Sequence, residues 1–248
     1  MENSSYIGLS RMTTMRREMD VIANNLANMN SNAYKGERVM FEEYLSRGTT
    51  GPDTRSNRFS FVTDSGVLRD FSTGKMTNTG NPLDIAITGN GYLSIDTPQG
   101  RRYTRDGHLR LDEDRRLVTA GGHPVLDNRD REIVFPQNDQ NVPAIAADGT
   151  ITLGAAQIGK IDLVAFQNEQ GMRKTAQGLY ATDLEPQPAP ASSTLAQGML
   201  ESSNVEPILE MTNMIELLRQ YQNTQNLIDG EHDRLRRAVE RLGRSSGQ

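Results

Sequence analysis

Residues 5–30 read SYIGLSRMTTMRREMDVIANNLANMN, and their apolar positions decide the fold. Met12, Met15, Met19, Ile22, Leu26 and Met29 follow one another at alternating steps of three and four, the seam of a coiled coil. Arg11, Arg16, Arg17, Glu18 and Asp20 fall off that seam, and no Pro or Gly interrupts it after Gly8. The segment is therefore expected to be an amphipathic helix that needs a partner. The other end of the chain offers one. From Pro207 onward two adjacent apolar stripes run at helical spacing: Ile208, Met211, Ile215 and Leu218, and beside them Met214, Leu217, Tyr221, Ile228, Leu235, Ala238 and Leu242. A stripe this broad buries against more than one neighbour. Ser203 or Asn204 is expected to cap this helix, Pro207 is tolerated in its first turn, and Gly230 is expected to bend or loosen it.

Between the helices the hydrophobic period shortens. Pro82–Ile87, Tyr92–Asp96 and Thr150–Leu153 read as short strands and Ile158–Phe166 as a longer one, separated by turn signals such as Gly89-Asn90-Gly91, Pro98-Gln99-Gly100 and Asp148-Gly149. Asp106-Gly107 reads as a hairpin turn between Tyr103-Thr104 and Leu109–Leu111, and Asp112–Arg116 as a charged hairpin tip. The expected fold class is α+β: an antiparallel all-β middle domain inserted between N- and C-terminal helices that pack as a coiled coil. The expected divisions are a helix over 1–35, an extended connecting region over 36–74, irregular from Arg47 to Gly74, a β domain over 75–184, a stiff Pro-rich linker over 185–200, and a helix over 201–248 that packs with 1–35.

Composition narrows the chemistry. The 248 residues contain no cysteine, which excludes disulfides, thiolate metal sites and thiol nucleophiles. A net charge of −5 gives no general reason to bind nucleic acid or anionic membrane, and no apolar stretch is long enough to span a bilayer or to serve as a secretory signal. On those grounds alone the chain is expected to be soluble and not to use the general secretory route. Hydrophobic residues are only 35% of the chain, so either much of it stays solvated alone or its apolar faces are completed by partners. His108, His123 and His232 lack metal-ligand spacing, and Gly89-Asn90-Gly91 lacks the third Gly and the helix of a phosphate loop. Asp84, Asp96, Asp106, Asp112 and Glu132 are carboxylate candidates only in the sense that such pairs meet in space. No enzyme activity, metal or cofactor is expected.

The segment Asp20–Tyr34, DVIANNLANMNSNAY, resembles the rod and hook family of bacterial flagellar axial proteins. Its signature is matched by Ala23-Asn24-Asn25-Leu26-Ala27-Asn28, followed by Tyr34-Lys35. The family's C-terminal pattern is matched by Ser203-Asn204-Val205, Glu210-Met211, Met214-Ile215, Arg219 and Tyr221, and its β domain by Thr79–Ile87 and Tyr103–Gly107. Met1–Asn3, Tyr6–Ser10 and Phe41–Leu45 look most like the proximal-rod members, with distal-rod or hook-type subunits as the alternative. One departure stands out: the family usually has Gly where this chain has Ala33, so either Asn32 takes the left-handed conformation or the turn changes shape.

The resemblance implies a structural subunit of the basal-body rod, assembling helically with its own copies and with other rod proteins into a hollow shaft. It also implies passage through the flagellar export apparatus without a cleaved signal, and a periplasmic basal-body location, with no nucleic-acid partner and no membrane insertion. A peptidoglycan-acting enzyme and a free-standing coiled-coil adaptor are the rivals from other classes. The expected assembly interface is Met12, Met15, Met19, Ile22, Leu26 and Met29, with Ile208, Met211, Ile215, Leu218 and Tyr221 opposite.

Overall fold

A computed structural model of the chain describes residues 2–47, 58–137 and 141–245. Met1 and part of the expected irregular region, residues 48–57, lie outside them. So do the side chains of Phe41–Leu45 and of the stripe members Leu235, Ala238 and Leu242. The architecture is α+β, and the chain divides into two units: a helical unit from residues 1–27, 37–69 and 206–248, and a β unit from 28–36 and 70–205.

In the helical unit α1 spans Glu2–Ala27 and α2 spans Pro207–Ser245. The two run antiparallel, since Asn25 meets Glu210 at one end and Gly8 lies against Ile228 at the other. Met15, Ile22 and Leu217 form the buried centre, with Met19, Met214 and Tyr221 packed on it. Strands β1 (Glu37–Arg47) and β2 (Arg58–Arg69) pair antiparallel from Glu37 opposite Arg69 to Arg47 opposite Arg58, with a bulge between Met40 and Phe41. Most of the expected connecting region is thus a long ladder. The signal for it was the alternation of Val39 with Phe41 and of Phe59 with Phe61, which the surrounding Gly, Ser and Thr obscured.

The α2 helix runs unbroken through Gly230, where an added Cβ would meet nothing. Its first hydrogen bond, Glu210 N–H to Glu206 O, makes Glu206 the capping position. Asn204, expected to cap α2, has its side chain committed elsewhere.

In the β unit a six-stranded antiparallel sheet takes its strands in the order 173–174, 180–181, 102–104, 92–95, 163–165 and 187–188. Residues 92–95 are buried on both faces: Leu93 and Ile95 enter a large aliphatic core with Ile85, Ile87, Leu117 and Ile151, while Tyr92 enters an aromatic core with Tyr103, Phe166 and Tyr180. The rings of that second core meet edge to face at centroid separations of 4.7–5.9 Å. A three-stranded sheet (143–145, 150–153, 156–160) and three two-stranded ladders complete the unit.

Two local readings are corrected. Residues 102–104 and 109–111 belong to different sheets, so Asp106-Gly107 is no hairpin turn. Gly107 is required because a Cβ there would lie 1.7 Å from the Ile85 carbonyl oxygen. The stretch read as a linker, 185–200, instead supplies strands: Gln187–Pro188 forms the sheet's edge, where a missing N–H is tolerated, Thr194–Gln197 pairs with Ile85–Thr88, and Met199–Glu201 pairs with Met76–Asn78.

Candidate assembly surfaces

The seam expected along α1 is only partly an inner face. Met15 and Ile22 are buried, Met12, Met19 and Leu26 are half-buried, and Met29 lies beyond the end of α1 in the turn that follows it. On α2 the stripe that packs inward is the second one, Met214, Leu217 and Tyr221. Ile208, Met211, Ile215 and Leu218 point to solvent, with Ile208 82% and Ile215 52% exposed. The helical unit therefore carries an uncovered apolar stripe next to a closed seam. Tyr6 and Leu9 of α1 are exposed as well.

Within the motif Ala23–Asn28, one side chain has a clear structural role. Asn25 is buried; its Nδ2 donates to Glu37 O at 2.8 Å, and its Oδ1 accepts from Glu37 N–H at 3.0 Å. The amide thus imitates a strand neighbour and fixes the start of β1 to α1. Nδ2 also reaches Glu210 Oε1 of α2 at 3.4 Å. Arg69 then bonds Glu37 Oε1 through Nε and Nη2 at 3.1 and 3.0 Å, closing the base of the hairpin.

Beside this clamp a 520 Å³ groove opens between α1, α2 and the start of β1. Val21, Ile22, Leu209 and Leu217 supply apolar lining, and Glu18, Glu210 and Glu216 carry its acidic charge, against the single cation Arg38. Glu37 also lines it but is neutralised by Arg69. Burial pushes the Glu18 carboxyl up, and no cation among the described residues opposes that shift.

The β unit has a buried ion network that no residue spacing announces. Lys35 Nζ donates to Glu201 Oε1 at 2.6 Å and to Ser72 O at 2.7 Å. Arg105 places Nε and Nη2 3.3 Å from Glu201 Oε2, and its remaining donors reach the carbonyls of Ile87, Gly89 and Gly91. Burial pulls the Lys35 ammonium down, and contact with Glu201 opposes this. Lys35 and Arg105 stand in the family motifs, but their partner is remote in sequence, so no spacing could reveal the set. Asn204 completes the junction: its Oδ1 accepts from Gly36 N–H at 2.8 Å and its Nδ2 donates to Asp70 O at 2.9 Å.

Ala33 itself takes the left-handed conformation, at φ 51°, so neither expected alternative is needed. Its N–H donates to Glu201 O at 2.7 Å, which helps offset a conformational cost of about 1–2 kcal/mol.

Four of the five carboxylate candidates, Asp84, Asp106, Asp112 and Glu132, act as loop staples. Asp84 accepts from Thr79 and Asn81 and meets His108 Nδ1 at 2.9 Å; Asp112 and Glu132 share Arg116. Burial pushes the Asp106 carboxyl up, with the His108 N–H opposing it. Among the described residues no cluster could hold a metal ion, and no helix is long and apolar enough to cross a membrane.

Three sequence families match successive parts of the chain: one described as flagella basal body rod protein over residues 6–35, one as flagellar hook protein FlgE/F/G D1 domain over 86–153, and one as flagellar basal body rod FlgEFG protein C-terminal over 196–241. The chain is 39% identical to the flagellar basal-body rod protein FlgF of Caulobacter vibrioides, covering 98% of this chain and 99% of the relative. It is 32% identical to FlgF of Mesorhizobium japonicum, covering 99% and 100%, and 33% identical to the rod protein FlgG of Bacillus subtilis, covering 96% and 98%.

Proposed function

The chain belongs to the flagellar basal-body rod protein family, and from that premise we propose that it is a structural subunit of the rod which assembles helically through its terminal helices into a hollow drive shaft. Its place is the flagellar basal body, in association with other basal-body components. The observation that carries the mechanism is the uncovered stripe Ile208, Met211, Ile215 and Leu218 beside the closed Met15–Ile22–Leu217 seam. One face of α2 is used within the chain and a second is left for neighbours, as a subunit of a helical array requires. In that reading the α1 and α2 contacts have coiled-coil character, and the assembly interface joins own copies and other rod proteins. The nearly full-length match to FlgF relatives at up to 39% identity supports a place in the proximal rod, ahead of a distal-rod or hook-type place. Export through the flagellar apparatus, with an uncleaved N-terminal segment, follows from the same reading.

The test is Ile215→Asp at the native locus. The position is exposed, so the isolated protein keeps its fold, while a buried unpaired carboxylate at a subunit contact is strongly unfavourable. Swimming should be lost and the chain should be missing from purified basal bodies. Normal motility with normal incorporation would refute assembly through α2.

A further inference from the structure

We propose that the acidic groove of the helical unit, lined by Glu18, Glu210, Glu216, Val21 and Leu217, receives the basic C-terminal end of α2 from a second copy of this chain, head to tail. The inference rests on the rod reading and names the contact between copies.

The groove has more anionic than cationic groups, and of its carboxylates only Glu37 has a cationic partner among the described residues. Glu210 meets the amide of Asn25, Glu216 meets that of Gln220, and no ion pair engages either carboxylate or Glu18 among the described residues. Charge of the opposite sign stands at the far end of the same helix. Residues 234–244, RLRRAVERLGR, contain five arginines against one glutamate, and Arg234, Arg236 and Arg237 are exposed. These cations are opposite in sign to the acidic charge of the groove. Guanidinium groups suit such contacts because each presents several donors to a carboxylate.

Topology makes the occupant another copy. The zipper between α1 and α2 runs from the Asn25–Glu210 contact to the Gly8–Ile228 contact, and the basic segment continues α2 beyond it. Because α2 is unbroken, its end lies roughly 30 Å along the axis from its own groove and cannot fold back into it. A contact between two different patches, repeated from copy to copy, propagates as an open helical array and not as a closed pair.

The native chain has no cysteine, so engineered pairs report contacts without background. Basal bodies are purified from cells carrying Glu216→Cys with Arg236→Cys in one chain, then oxidised. A ladder of covalently joined copies is expected, absent from each single variant and from a control combining Glu216→Cys with Arg129→Cys of the β unit. Independently, Glu18→Arg with Glu216→Arg should reduce swimming about tenfold or more, and adding Arg234→Glu and Arg236→Glu should restore it to within about twofold. Absence of the ladder from incorporated chains, or reversal without restoration, overturns the groove contact and leaves the rod reading standing. Absence of the wild-type chain from basal bodies overturns both.

Discussion

In the β unit Ile85, Ile87, Leu93 and Ile95 expose none of their surface, whereas in the helical unit Ile208 exposes 82% and Ile215 52%. The same residue type meets opposite fates, and the cause is topology. Strands from distant parts of the chain enclose the β core from every side. Among the described residues the helical unit has α1, α2 and one hairpin, and its buried apolar cluster is Met15, Ile22 and Leu217. Covering a fully exposed aliphatic side chain contributes about 1.5–3 kcal/mol, and covering a half-exposed one about half of that. The β unit is stabilised by its own contacts; in the proposed assembly the helical unit would gain further burial when neighbours cover its exposed stripe.

The contrast is open to direct attack. The largest expected effect is in the β unit, where Glu201→Gln leaves two buried cations without an anion; denaturant unfolding should show a loss of about 3–5 kcal/mol. A loss below 1 kcal/mol would mean that the network is peripheral. Next, Ile22→Asp places a charge in the helical centre: it should abolish swimming while the near-UV signal of the tyrosine-rich β core stays intact, and collapse of that signal would show that the two units do not fold separately.

Asn25→Ala strips Glu37 of two backbone partners, worth about 1–3 kcal/mol, and should speed hydrogen exchange at the start of β1 without touching the β unit. Gly230→Ala should strengthen α2 by about 1 kcal/mol in helicity measurements, because nothing occupies the space a Cβ would take. Smallest is a pH effect at the Asp148 turn. Bonds from Thr150 and Lys160 hold that carboxyl down to about 2 from its ordinary 3.8. The folded form then binds fewer protons than the unfolded one, so this contribution is complete above about pH 4 and fades as pH falls through about 2. A carboxyl titration midpoint near the ordinary value would remove it.

Much of this contrast was legible in the residues. Three-and-four spacing located both helices, and turn signals located the antiparallel β region. What failed was choice among equals: α2 offers two adjacent apolar stripes, and spacing alone does not say which faces inward. The structure assigns Met214, Leu217 and Tyr221 to α1. The Asp106-Gly107 pair misled because glycine serves two purposes, a turn or a close approach, and here the Ile85 carbonyl required the second. Strands 187–188 and 194–201 were hidden by prolines and serines, whose local preference was outvoted by pairing with distant partners. The Lys35–Arg105–Glu201 network was invisible for the same reason: its members meet only after the sheets form.

That network also sets a condition on timing. Lys35 and Glu201 stand 166 positions apart, and Lys35, like Arg105, lacks this ionic partner until Glu201 arrives. A chain threaded end-first through a channel too narrow for folded structure cannot lock this core while either residue is still inside. In the proposed export route the β unit would lock only once Glu201 has emerged, and a chain halted before that point would stay unlocked.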